Sequence, residues 1–162
     1  YEKVVKEKLE VDNQPAGAGV AVVEETAIVK SGQVLAEKEA IVAETFIENL
    51  EFGFDSADLT AADKTELDGL IVKIDQYRPM LRANVAHLNV IGHTDSQGAE
   101  SYNQGLSERR AQAVADYFAT VGSVPRQTMQ VSGKGEADPI GDNNTDEGRS
   151  LNRRVVIEVI KH

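Results

Sequence analysis

Apolar positions fall into two regimes that meet near residue 45. Upstream the pattern is irregular. A charged start (Lys3, Lys6, Glu7, Lys8) leads into the turn-rich run Asp12-Asn13-Gln14-Pro15-Ala16-Gly17-Ala18-Gly19, which reads as a joint. Two short apolar runs follow, Val20 to Val23 and Ala27 to Val29, which suit either strands packed on the rest of the chain or part of a tether. Residues 1–45 are therefore read as an N-terminal extension or linker of open role, and 46–162 as the folded domain.

From Phe46 the periodicity sharpens. Leu50, Phe52 and Phe54 alternate with Glu51, Gly53 and Asp55, the period of a half-buried first strand. Thr60-Ala61-Ala62-Asp63 has the form of a capping box, and Leu67, Leu70, Ile71, Ile74 and Tyr77 recur at three- and four-residue steps, predicting a helix over 60–77 that stops at Arg78-Pro79. A second strand is expected over Val85 to Ile91, closed by the polar turn Gly92 to Gly98. A long helix then carries Leu106, Val114, Tyr117, Phe118 and Val121 before Gly122 and Pro125 break it. Thr128 to Ser132 and Arg154 to Ile160 complete the strands, with a short helix from about Thr145 between them. The order β-α-β-α-β-α-β predicts an α+β fold, a two-layer sandwich of helices on a mixed four-stranded sheet.

One residue breaks the apolar stripe of the long helix. Stepping back from Val121 through Tyr117 and Val114, the next positions are Arg110, Leu106 and Asn103. Seven residues turn a helix by about 700°, within about 20° of two whole turns, so Asn103 and Arg110 face the same neighbour. An inward arginine needs a carboxylate or a ligand, because a buried unpaired charge is strongly unfavourable. Asp95, at the exit of the second strand, is the nearest candidate. Two readings stay open: an internal Asp95–Arg110 salt bridge, or a pocket left for a visitor. A guanidinium suits a carboxylate and an aspartate suits an ammonium, so a vacant pair fits a zwitterion and predicts binding without a covalent step.

Charge narrows the partners. Seventeen basic and twenty-seven acidic residues give a net charge of −10, which argues against nucleic acid as a partner. The chain has no cysteine, which excludes disulfides and thiol chemistry. With no apolar run of about 18 residues, no membrane contact by this segment itself is expected. His87, His93 and His162 have no zinc-type spacing, and His93 is read as a strand-end packing residue. Asp142 to Asp146 imitates a calcium loop but carries Glu147 in place of the required glycine and Arg153 in place of the closing glutamate, so it reads as a turn and helix cap. No metal and no cofactor are expected. Asp95 with His93 and Ser96 or Ser107 makes an unpersuasive hydrolytic set, since no activated nucleophile is visible.

The run Ile91-Gly92-His93-Thr94-Asp95-Ser96-Gln97-Gly98, followed by Tyr102-Asn103-Gln104-Gly105-Leu106-Ser107-Glu108-Arg109-Arg110-Ala111-Gln112-Ala113-Val114, resembles the OmpA C-terminal domain family. The likeness extends from Phe52-Gly53-Phe54-Asp55-Ser56 through Gly133 to Pro139 and Asn143 to Asn152-Arg153-Arg154-Val155, covering roughly 46 to 160. It implies a periplasmic module, not an enzyme, that binds the peptidoglycan stem peptide non-covalently at its diaminopimelate residue. Asp95 and Arg110 match the family positions that engage the amino acid ligand and its carboxylate, and Thr94, Asn103, Leu106 and Arg153 match positions lining the site. The implied setting is the periplasmic domain of a cell outer membrane protein. A lipoprotein or a flagellar stator subunit of the same family is the alternative, with a wall-acting hydrolase behind both. Two departures stand out: Gly141 to Asn152 runs without the cysteine-containing insertion of several relatives, and residues 1–45 match no part of the family.

Overall fold

The computed structural model describes residues 39–52 and 55–162. The joint at 12–19 and the apolar runs at 20–23 and 27–29 lie outside the described residues, as does Phe54. Among these described residues four strands and four α-helices follow in order: β1 (Ile41–Glu48), α1 (Ala61–Ile74), α2 (Arg78–Arg82), β2 (Ala86–His93), α3 (Glu100–Thr120), β3 (Met129–Gly133), α4 (Asp146–Asn152) and β4 (Arg154–Lys161). The sheet order is β1-β4-β2-β3, with β4 antiparallel to both β1 and β2 and β3 parallel to β2. Helices pack on this mixed four-stranded sheet, which is the α+β architecture that the periodicity predicts.

Alternation along the central strands decides where the core sits. Leu88 and Val90 of β2 and Val155, Ile157 and Val159 of β4 point to one face, where they meet Leu67, Leu70 and Ile74 of α1 and Ala111, Val114, Ala115 and Phe118 of α3 in a single buried cluster. Each large side chain taken fully out of water here contributes about 1.5–3 kcal/mol. The capping box also forms: Thr60 Oγ1 accepts from the Asp63 N–H and Asp63 accepts from the Thr60 N–H, both at 3.0 Å.

Three local expectations fail for identifiable reasons. The first strand, Ile41–Glu48, ends before the alternating run that begins at Leu50. Leu50 and Phe52 are buried, but as part of an irregular segment. Phe52 adopts φ +44°, and its N–H and that of Glu51 go to the Asp63 carboxylate instead of a strand ladder. A bulge between Val42 and Glu44 in β1 shifts the period of two that would have marked the true strand.

The helix stop at Arg78-Pro79 is a restart. The chain tightens into a 3₁₀ turn over Asp75–Tyr77, and Pro79 sits in the first turn of α2, where its missing N–H would lack a partner anyway. Val121 is 56% exposed although the stripe places it in the core. α3 ends at Thr120, Ser123 turns the chain with φ +55°, and Val124 fills the core position.

One close approach positions the functional end of the sheet. Gly92 and Gly133 are register partners on β2 and β3, and a Cβ on either would run into Ser107 or Glu108 of α3. The absence of two side chains lets the helix backbone sit directly on the strand ends. Ser107 Oγ then accepts the Gly135 N–H at 2.9 Å, and the Thr94 N–H bonds the Gly135 carbonyl at 2.8 Å. The segment leaving β2 is thereby fixed against the first half of α3.

Candidate functional site

A cavity of about 460 Å³ opens where β2 ends and β4 begins. One wall is the exit of β2 with α3: Thr94, Asp95, Gln97, Gly98, Tyr102, Asn103, Leu106 and Arg110. The other is the irregular segment after β1: Glu51, Phe52 and Asp55. Arg153, at the C-cap of α4, stands at the rim. All six residues singled out from the sequence, Asp95, Arg110, Asn103, Thr94, Leu106 and Arg153, therefore line one hollow.

Arg110 is 8% exposed. Its Nε donates to the Ser56 carbonyl at 2.9 Å, and its guanidinium lies 4.7 Å from the centroid of the Phe52 ring, a cation–π distance. Burial first, and then the nearby Arg153 cation, pull its pKa below the usual arginine value, while Asp95 and Asp55 pull the other way. Among the described residues no carboxylate comes within ion-pair distance of it. The internal Asp95–Arg110 bridge left open by the spacing does not form.

Asp95 has a different partner. Arg153 Nη1 donates to its Oδ2 at 2.6 Å, and the Gln97 N–H donates to its Oδ1 at 3.0 Å. The picture of two unengaged side chains is thus corrected for Asp95, which is covered by an arginine 58 positions along the chain. Helical and strand periods carry no information about such a contact.

The other lining residues divide by what their polar atoms do. Thr94 Oγ1 donates to the Asp95 carbonyl at 2.8 Å. The Asn103 amide reaches the Gln97 carbonyl at 2.8 Å and Glu136 Oε1 at 3.1 Å. Both side chains hold the 94–97 turn in shape, and Leu106 gives the floor an apolar patch. His93 is buried at the end of β2, as its strand-end position suggests. Desolvation and the Arg154 cation lower its pKa to about 4, against a weaker upward pull from Asp138.

The irregular wall is held by two polar residues outside the cavity. Asp63, buried at the start of α1, accepts the N–H groups of Glu51 at 2.6 Å, Phe52 at 2.9 Å and Thr60 at 3.0 Å. Burial works to raise its pKa, but these backbone donors outweigh it and leave the carboxyl below the usual aspartate range. Asn49 Nδ2 lies at 3.2–3.3 Å from the carbonyls of Ser150, Leu151 and Arg153, joining the same wall to the end of α4. α4 is braced in turn by the fully buried Asn152, whose Oδ1 accepts the Ile140 and Gly141 N–H groups at 2.7 and 2.8 Å.

Sequence reasoning missed Glu51, Phe52 and Asp55 as site residues. The alternation from Leu50 to Asp55 reads as a strand, and the signal that places Glu51 and Phe52 otherwise is Asp63, a carboxylate in a first helical turn that collects donors upstream. Among the described residues no group of three His, Cys, Asp or Glu side chains is arranged to hold a metal ion. Asp142 to Thr145 forms the turn and cap expected, with Thr145 Oγ1 accepting the Gly148 N–H at 2.9 Å. Chemically the cavity offers two guanidinium groups and one buried carboxylate over an apolar floor, a setting for a small ligand carrying both charges.

Comparison with known proteins gives the family of this fold and its cavity. The model of the OmpA family matches residues 51–153, and the chain belongs to that family. It is 40% identical over 114 residues to the outer-membrane lipoprotein YfiB of Pseudomonas aeruginosa, covering 69% of this chain and 67% of that protein. It is 44% identical over 75 residues to the putative lipoprotein YfiB of Escherichia coli, covering 46% of this chain and 47% of that one. The outer membrane porin F of P. aeruginosa is 39% identical over 111 residues, 68% of this chain but 30% of the porin. The chain thus spans less than half of two of these relatives. Among solved structures, the cell wall anchor of the T6SS from P. aeruginosa superposes with a TM-score of 0.55 at 29% identity, covering 76% of this chain and 80% of that one. The peptidoglycan-associated lipoprotein from Burkholderia pseudomallei shares the fold, with a TM-score of 0.56 at 22% identity over 69% of this chain and 88% of the other. No helix among the described residues is long and apolar enough to cross a membrane.

Proposed function

We propose that this domain binds peptidoglycan non-covalently by seating the diaminopimelate residue of the stem peptide in the cavity, and so ties a membrane-anchored protein to the cell wall. The observation that carries the reading is Arg110: a guanidinium nine-tenths buried in a cavity wall with no carboxylate partner among the described residues. Keeping a buried cation without a counter-ion is costly, and a ligand carboxylate would supply the missing partner. Diaminopimelate keeps an amine and a carboxylate on its distal carbon, so it offers a carboxylate to Arg110 and an ammonium to Asp95. Membership of the OmpA family, and the likeness to a protein described as a cell wall anchor, support the same reading.

The work of the site is binding, not catalysis: its charged groups match a ligand's, and the Thr94 hydroxyl is spent on the Asp95 carbonyl. The setting inferred with it is the periplasm, as part of an outer-membrane protein, and relatives described as an outer-membrane lipoprotein and an outer membrane porin support that inference. Peptidoglycan strands are anionic and the chain carries a net charge of −10, so affinity arises from contacts inside a Debye length of about 8 Å and not from long-range attraction.

The test is calorimetric titration with muropeptides containing diaminopimelate or lysine, paired with co-sedimentation on purified walls. Asp95→Ala and Arg110→Ala are each expected to lose about 2–5 kcal/mol of binding with the fold retained. Lysine-type walls, which lack the distal carboxylate, should be retained poorly. Equal retention of both wall types, or variants that melt early yet bind normally, would overturn the reading. Release of soluble muropeptides on incubation would favour a hydrolase instead.

A further inference from the structure

Arg153 occupies a position the proposed ligand would need. Its Nη1 lies 2.6 Å from Asp95 Oδ2, where an incoming ammonium would dock. Its backbone is fixed: the N–H bonds the Arg149 carbonyl at 3.1 Å, and its own carbonyl accepts from Asn49 at 3.3 Å. Its side chain is not enclosed, being 43% exposed against 10% for that of Asp95. The same side chain borders a second, smaller hollow of about 320 Å³ lined by Asn49, Leu50, Glu51 and Ser150. An arginine with an anchored backbone, a partly exposed side chain and a place in the lining of two hollows can swing without disturbing the fold.

We propose that Arg153 is a counter-ion gate on the cavity. In the free domain it neutralises Asp95, and a ligand is admitted when it brings both an ammonium to take over Asp95 and a carboxylate to receive the displaced guanidinium. The inference rests on the diaminopimelate reading and deepens it, because it assigns the selectivity to a residue other than Arg110. An ammonium alone is excluded by charge balance. It would exchange one cation for another on Asp95 and leave the freed Arg153 beside Arg110, whose own charge is already disfavoured by burial. Glu51 and Asp55, the other carboxylates lining the cavity, are exposed and screened by water, so they replace Asp95 poorly as partners. A zwitterion adds no net charge and satisfies all three groups at once.

The experiment titrates the unaltered domain, Arg153→Gln and Arg153→Lys with two probes: meso-diaminopimelic acid, and Nα-acetyl-lysine amide, which carries an ammonium and no carboxylate. Thermal melting of each variant is measured beside the titrations. The unaltered domain is expected to bind diaminopimelic acid and to bind the lysine probe at least about tenfold more weakly. Arg153→Gln, by uncovering Asp95, is expected to bind the lysine probe about tenfold better than the unaltered domain does, narrowing the selectivity from that side. Arg153→Lys keeps the charge and should keep the exclusion. A lysine probe that binds Arg153→Gln no better than the parent overturns the gate, and so does an Arg153→Lys variant that loses the exclusion. If the unaltered domain fails to bind diaminopimelic acid, the underlying reading fails first, which is seen before any variant is compared.

Discussion

The two walls of the cavity are built by opposite means. The wall of β2 and α3 is regular structure brought to very close range, because Gly92 and Gly133 present no side chains beneath Ser107 and Glu108. In the facing wall, the described residues 49–52, 55 and 56 form no helix or strand. Phe52 and Asp55 take positive φ angles of 44° and 52°, and the segment is held by hydrogen bonds to Asp63 and from Asn49. The first wall sets where Asp95 and Arg110 stand. The second gives Arg110 its ring and its carbonyl, from Phe52 and Ser56. The contrast teaches that the site's charge is carried by the rigid half, and the surroundings that let a buried cation persist are supplied by the half with the least regular structure.

The largest expected effect follows from forcing the rigid wall apart. In Gly92→Ala the new Cβ meets the backbone of Ser107, not the end of a flexible side chain, so α3 must lift from β2. Overpacking against a backbone is expected to destabilise the fold by about 3 kcal/mol or more, read as a lower urea midpoint, and to abolish ligand binding along with it. A variant that unfolds at the parent's midpoint would mean that the helix is not seated on the sheet in this way.

A smaller and more selective effect is expected from the other wall. Asp63→Ala removes the acceptor of three backbone N–H groups and half of the capping box, for about 2–3 kcal/mol of stability. It also releases Phe52 from a strained backbone conformation, so the ring beneath Arg110 loses its position. Binding of diaminopimelate should weaken in the variant even at temperatures where it is fully folded. Melting that falls with binding unchanged would show that the irregular wall only supports the core and does not shape the site.

The same contrast explains what could be read in advance. The rigid wall follows from periodicity. The α3 stripe marks Arg110 as an inward charge, Asn103 falls on the same line, and the turn after β2 places Asp95 beside them, as the lining of the cavity shows. Helix and strand periods act over a few residues, and those contacts are local to one βα unit. The irregular wall obeys no period. Its order comes from a carboxylate 11 and 12 residues downstream taking donors that would otherwise join a strand, so alternation at Leu50 and Phe52 reports burial correctly and secondary structure wrongly. The Asp95–Arg153 pair was illegible for a related reason: it joins the exit of β2 to the entry of β4, which become neighbours only through the β2–β4 register.

The smallest effect separates the two walls by acidity. His93 belongs to the rigid wall. Burial first and Arg154 second hold its folded pKa near 4, with Lys134 adding to the depression and Asp138 opposing it. An unfolded histidine takes up its proton near pH 6.5, so between about 6.5 and 4 the unfolded chain binds more protons than the folded one, and stability falls as pH falls through that window. Asp63 belongs to the irregular wall, and its depressed pKa gives stability that is complete above about pH 4 and is lost only at lower pH, as its own carboxyl protonates. Glu48, raised by burial and by Glu66, works against the His93 trend near the lower end of the window, so the comparison must be between variant and parent. Urea denaturation across pH is expected to show a shallower slope between 6.5 and 4 for His93→Gln and an unchanged slope there for Asp63→Asn, whose difference from the parent should appear below about pH 4. If His93→Gln keeps the parent's slope over the upper window, the imidazole is not buried neutral against Arg154, and the end of β2 is more open to water than its packing implies.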